Sequence, residues 1–180
     1  MLVALAVVAG GWIIAASAPD RPASSQDPVD GAAVVGRGPS PSASASAGAE
    51  KELTGSEALV LFDRLRRRLE AAYRRRSTEA LLQAVSRGSP QFAQSRGDLR
   101  LLERNNLLDR TRSRTLEVSI VTIDPGRFVV SERSVVTPRY VDDATNVEVD
   151  VELGRTRSTS EWIVERRGGR WLITSSRATG

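Results

Sequence analysis

Cysteine and histidine are both absent from the 180 residues, and one lysine, Lys51, stands among 26 basic residues, the others being arginine. Without cysteine the chain has no disulfide, no thiolate nucleophile and no zinc–thiolate site. Without histidine it lacks the commonest general base and the commonest transition-metal ligand. Aromatics are also scarce, at 4% of the chain. No catalytic constellation is visible in what remains, so no catalytic residue, metal ligand or cofactor is assigned.

What is present begins with an apolar run. Residues 1–18, MLVALAVVAGGWIIAASA, carry no charge, and that length is near the minimum for crossing a hydrocarbon core of about 30 Å. The run fits an uncleaved transmembrane anchor or a secretory signal. A signal should open on basic residues, which are missing here. Ala16-Ser17-Ala18 has the small-residue pattern of a cleavage site, but Pro19 follows it and its locked φ suits cleavage poorly. The anchor is therefore favoured, with its N-terminus inside and the rest of the chain on the extracytoplasmic side of the cell membrane.

Residues 19–50 have proline at 19, 22, 28, 39 and 41, small residues between them and no apolar periodicity. Such a stretch cannot bury enough surface to offset its ordering entropy, and a disordered tether is expected. As a flexible coil its mean reach is roughly 30 Å. Residues 51–180 form one domain's worth of chain with enough length for a core. That part holds 24 basic against 18 acidic residues, a net of +6, while the whole chain is +4.

The first half of this domain reads helical. Thr54-Gly55-Ser56-Glu57 is a capping box, and Ala58, Phe62, Leu65, Leu69, Ala72 and Tyr73 repeat at helical spacing. Ser77 is expected to cap a short helix carrying Leu81, Leu82 and Val85. Ser89-Pro90 restarts helix, and Asp98 is expected to cap a last segment carrying Leu101 and Leu102, ending at Asn105-Asn106. The second half has period two. Leu116, Val118 and Ile120 predict a half-buried strand, and Val147, Val149, Val151 and Leu153 the cleanest one. Asp124-Pro125-Gly126 and residues 142–146 are turn chemistry. EWIVERR and RWLITSS flank Gly168-Gly169 as a hairpin. Helices followed by an antiparallel meander predict an α+β domain with helices on one face of a curved sheet.

These helices, with Gly88-Ser89-Pro90, Asp98 and a leucine pair, then strands closing on Trp162 and Gly169-Arg170-Trp171-Leu172-Ile173, resemble the NTF2-like (cystatin-type) extracytoplasmic domains of actinobacterial membrane-anchored proteins. The resemblance spans about residues 54–176. Relatives tend to have glycine after the Asp-Leu helix; Asn105-Asn106 here can also adopt left-handed geometry. The near-exclusive use of arginine agrees with a GC-rich genome. The resemblance implies a cone-shaped sheet with a pocket, and most such domains have no assigned activity. A looser resemblance, to the anchors associated with actinobacterial lipid-import (Mce-type) systems, implies a non-catalytic accessory domain with a protein partner. The alternative it leaves open is a cone that binds a small apolar ligand or lipid.

The aromatics available to line a cone are Phe62, Tyr73, Phe128, Tyr140, Trp162 and Trp171. Their plain reading is core, with Trp162 and Trp171 facing the helices. Strand carboxylates alternate with apolar residues, so solvent-facing positions are expected for them. Glu148, Asp150 and Glu152 are read as an outer face, able to pair with Arg155 or Arg157, and Asp63 as a surface helix residue. Arg66, Arg67, Arg68, Arg74, Arg75 and Arg76 are candidates to contact an anionic surface, against the plainer reading of a solvated helix face balanced by Asp63 and Glu70. Positions 66–68 sweep about 200° of helix circumference, so they cannot all face the core. Nucleic acid is not expected as a partner, because no aromatic–basic interleaving appears.

Overall fold

The computed structural model describes residues 52–149 and 154–179. The expected anchor (1–18) and tether (19–50) lie outside the described residues, as do Asp150, Val151, Glu152 and Leu153. Among the described residues, no helix is long and apolar enough to cross a membrane.

Helix α1 (Gly55–Arg75) begins on the capping box: the Thr54 hydroxyl accepts from the Glu57 N–H, and the Glu57 carboxylate accepts from the Thr54 N–H at 2.9 Å. It ends where Arg76 turns left-handed at φ 50°. Its buried stripe is Ala58, Phe62, Leu65, Leu69, Ala72 and Tyr73, with Arg66 among them. Helix α2 (Thr78–Leu81) is capped by Ser77 but stops short of the expected Leu82 and Val85, because the chain there turns to bridge Ile173. Helix α3 (Pro90–Arg104) is capped by Ser89, whose hydroxyl accepts from the Phe92 N–H at 3.1 Å. Here one expectation is corrected. No cap occurs at Asp98; α3 runs through it, and Gln91, Ser95, Asp98, Leu99 and Leu102 form its buried face. Leu99 and Leu102, three apart, share that face, which leaves Leu101 on the exposed side. Asn106 ends the segment in left-handed geometry at φ 54°.

The strands make two antiparallel sheets. One has the order β2 (Arg112–Asp124), β3 (Arg127–Thr137), β6 (Thr156–Arg167), β7 (Arg170–Ala178). The other has the order β1 (Leu107–Asp109), β4 (Tyr140–Asp142), β5 (Glu148–Val149). Gly168 and Gly169 join β6 to β7 with φ of 57° and 75°, the paired positive values that a twist-matched two-residue hairpin requires. Register shifts in β2 and between Ile163 and Val164 of the β6–β7 pair add a residue on one side, which bends and twists the larger sheet. Phe128, Val130 and Glu132 of β3 pair with Val164, Trp162 and Ser160 of β6, and this inner face meets the helices. The outer edge of β7 is partly covered, because Ala84 and Ser86 exchange backbone hydrogen bonds with Ile173.

One strand expectation is corrected, and a second falls partly outside the described residues. Ile120 is half-buried against the core as expected, but Leu116 and Val118 are exposed, because β2 is an edge strand interrupted by two bulges. The run from Val147 to Leu153 contributes, among the described residues, only the two-residue β5, and Val147 is 61% exposed. Glu148 there pairs with Arg139 at 2.9 Å rather than with Arg155 or Arg157.

Candidate functional site

The inner face of the sheet brings together residues that sequence spacing keeps far apart. Arg66 leaves the buried stripe of α1 and its Nε donates to Glu132 Oε2 at 3.2 Å; the second carboxylate oxygen accepts from Thr115 Oγ1 at 2.9 Å. Glu132 is 2% exposed and the Arg66 side chain 10%. The guanidinium also lies 4.7 Å above the centre of the Trp162 ring, which in turn packs on Phe62 at 5.9 Å. A buried ion pair with this many neighbours holds its geometry, because separating either charge from its partner leaves it desolvated. Arg66 therefore departs from the expected anionic-surface role, and Glu132 from the expected solvent-facing one.

Beside this pair, Tyr73 at the end of α1 donates its hydroxyl to Asp98 Oδ2 of α3 at 2.9 Å. Gln91 bridges Ser95 and Ser176, linking α3 to β7. Burial pushes the Tyr73 phenol well above its usual range, and the neighbouring Asp98 charge pushes it further. A hydroxyl whose folded value is raised contributes stability that is complete below about pH 10 and is lost as the pH climbs through that raised value. Tyr73→Phe should therefore flatten the alkaline decline in stability. At neutral pH it should cost about 1–3 kcal/mol for the hydrogen bond that Asp98 loses. Urea unfolding at two pH values checks both.

The cleft between these groups measures about 50 Å³ and is lined by Arg66, Leu69, Tyr73, Gln91, Asp109 and Trp162 among others. That is room for one or two water molecules. Of the expected lining residues, Tyr73 and Trp162 reach it; Phe62 packs behind Trp162, while Phe128 and Tyr140 are buried in the core. Trp171 is half-buried, set against Phe128 at 5.4 Å and facing an open recess beside Leu53, Val60 and Leu61 of the N-terminal side. Among the described residues, no group of three or more acidic side chains is placed to hold a metal ion.

The other arginines of the two triplets scatter around the helix. Arg67 pairs with Asp63 at 2.9 Å, Arg68 reaches the Gln83 carbonyl, and Arg76 is half-buried against Asp143. Arg74 and Arg75 are exposed, Arg74 lying 3.8 Å from Glu70. A different set converges instead: Arg74, Arg110, Arg112 and Arg139 line one open recess, and Arg74, Arg112, Arg114 and Arg155 the next. The legible signal was DRTRSRT at residues 109–115, arginine at every second position entering a strand.

No family model and no curated protein matches the sequence. Among solved structures, the intermembrane-space region of the chloroplast protein ARC6 superimposes with a TM-score of 0.52 at 13% identity, covering 71% of this chain and 97% of that one. A protein of unknown function with a cystatin-like fold from Nostoc punctiforme has a TM-score of 0.44 at 16% identity over 71% of this chain and 92% of its own. An NTF2-like protein of unknown function from Shewanella oneidensis has 0.44 at 14% identity over 68% and 99%. Identities this low speak to fold alone. With its helices laid on the inner face of a bent antiparallel sheet, the described chain has an α+β fold similar to that of the ARC6 region.

Proposed function

We propose that the chain is a membrane-tethered, non-catalytic accessory domain that works through surface contact with a protein partner on the extracytoplasmic side of the cell envelope. The observation that carries this reading is the filled interior. Among the described residues, Trp162, Phe62 and the Arg66–Glu132 pair occupy the space beneath the helices, and the cleft beside them is about 50 Å³, against the ~300–1,000 Å³ of ordinary small-molecule sites. Recognition then falls to the outside. The tether rests on the uncharged run of residues 1–18 and the proline-rich stretch of residues 19–50. The second reading, a cone for a small apolar ligand or lipid that serves a lipid-import complex, needs an apolar cavity. Arg66, Asp109 and Gln91 on the cleft wall count against it.

The full-length chain should stay in the membrane fraction through high-salt and alkaline washing. Its domain should be cut by protease added outside intact cells. A soluble mature chain beginning near residue 19, or a domain protected from external protease, overturns the tethered reading. Native mass spectrometry should find the purified protein without an apolar ligand; a stoichiometric lipid would move the assignment to the second reading.

A further inference from the structure

The outer face of the larger sheet divides its charges unevenly. Toward the β2–β3 turn and the middle of the sheet, arginines are matched: Arg133 pairs with Glu117, Arg127 with Glu165 and Arg177 with Glu161. At the opposite end they are not. Arg112 and Arg114 of β2 stand across from Thr137 and Val135 of β3, and Val135 stands across from Arg157 of β6. Of their neighbours, Thr115 faces inward onto Glu132, and Ser113, at the strand edge, borders both the inner cleft and the recess described next. Alternation therefore sends Arg112 and Arg114 outward. Arg155, just before β6, lines the same recess of about 680 Å³, and an adjoining recess of about 410 Å³ adds Arg110 and Arg139 while sharing Arg74 and Arg112. The two carboxylates on these walls are engaged, Glu70 beside Arg66 and Arg74 and Glu148 on Arg139. Arg110, Arg112, Arg114 and Arg155 have no carboxylate partner among the described residues.

Guanidinium groups gathered in excess of their counter-charge repel one another, and an arriving anion relieves that repulsion. A carboxylate offers two oxygens in one plane. A phosphoryl group offers oxygens in several directions and takes donors from several arginines at once. Two adjoining recesses that share Arg74 and Arg112 suit more than one such group. We propose that this end of the sheet is a binding site for a ligand carrying two or more phosphoryl groups. The site stands on the paired strands and recesses alone and does not depend on the tethered reading.

The test uses the full-length chain in neutral detergent, with tripolyphosphate titrated by calorimetry. A second arm measures binding to phosphatidylcholine vesicles with and without cardiolipin. Two triple variants each remove three positive charges: Arg112→Gln/Arg114→Gln/Arg155→Gln in the recess, and Arg127→Gln/Arg133→Gln/Arg177→Gln on the matched part of the same face. The recess variant should weaken binding by roughly tenfold or more, and the matched variant by less than about threefold. Loss of tripolyphosphate binding supports a soluble ligand; loss confined to the cardiolipin vesicles supports a lipid headgroup. Circular dichroism checks folding, and the single variants Arg112→Gln and Arg155→Gln replace the triple should it unfold, each losing part of the affinity. No binding to either probe at low salt, or equal losses in the two triples, overturns the site.

Discussion

Trp162→Ala should lower the stability of the domain by about 3–5 kcal/mol, the range for removing a large aromatic from a packed core. The ring is 2% exposed, packs on Phe62 and carries the Arg66 guanidinium on its face. Its loss would open a cavity between α1 and the sheet and also strip a desolvated cation of its aromatic partner. Relaxation can refill little of that space, because β6 is held on both sides by β3 and β7. Trp171→Ala is the internal comparison. That ring is half-buried against Phe128 beside an open recess, so its cost should be about 1–3 kcal/mol. Urea unfolding followed by far-ultraviolet circular dichroism measures both, and a Trp162 variant within about 1 kcal/mol of the wild type would contradict this packing.

The second large effect is expected at the buried ion pair. Glu132→Ala leaves the Arg66 guanidinium in the core without its buried carboxylate, Glu70 lying 3.8 Å away and more than a third exposed. Thr115 loses its acceptor at the same time. Stranding one member of a buried pair costs about 3–5 kcal/mol. Removing both charges should cost much less, since two apolar side chains of similar volume avoid the desolvation penalty altogether. Arg66→Met/Glu132→Leu is therefore expected to unfold at a higher urea concentration than Glu132→Ala, with a coupling of at least about 1 kcal/mol in the double-mutant cycle. Additive losses would mean that the two side chains do not act as a pair.

Several elements of this fold were legible residue by residue. The Thr54–Glu57 box, the Ser77 and Ser89-Pro90 starts, the left-handed stop at Asn106 and the Gly168-Gly169 hairpin all appear where local chemistry predicts them. So does the buried stripe of α1. Asp98 misled because aspartate is a good cap and follows Gly97. Its carboxylate accepts from Tyr73, 25 residues earlier in the chain, a partner that no local rule supplies. Leu116 and Val118 misled for a different reason: alternation marks a strand with one apolar face but does not say whether anything covers that face.

The sequence alone determined the α+β order, the starts of the three helices, the hairpin and the surplus of positive charge. Caps and turns are decided by hydrogen bonds reaching no more than about four residues, and net charge needs no structure at all. Only the tertiary structure decided which charges go inside and which gather outside. Arg66 sits in a run of three arginines and Glu132 in an alternating strand, and neither differs on paper from its solvated neighbours. Pairing β3 between β2 and β6 put Glu132 beneath α1 and set Arg112, Arg114 and Arg157 around Val135 on the far face. Strand order and register act between residues tens of positions apart. A one-residue slip in register would exchange the two faces, so the interior pair and the exterior arginine cluster are both consequences of pairing.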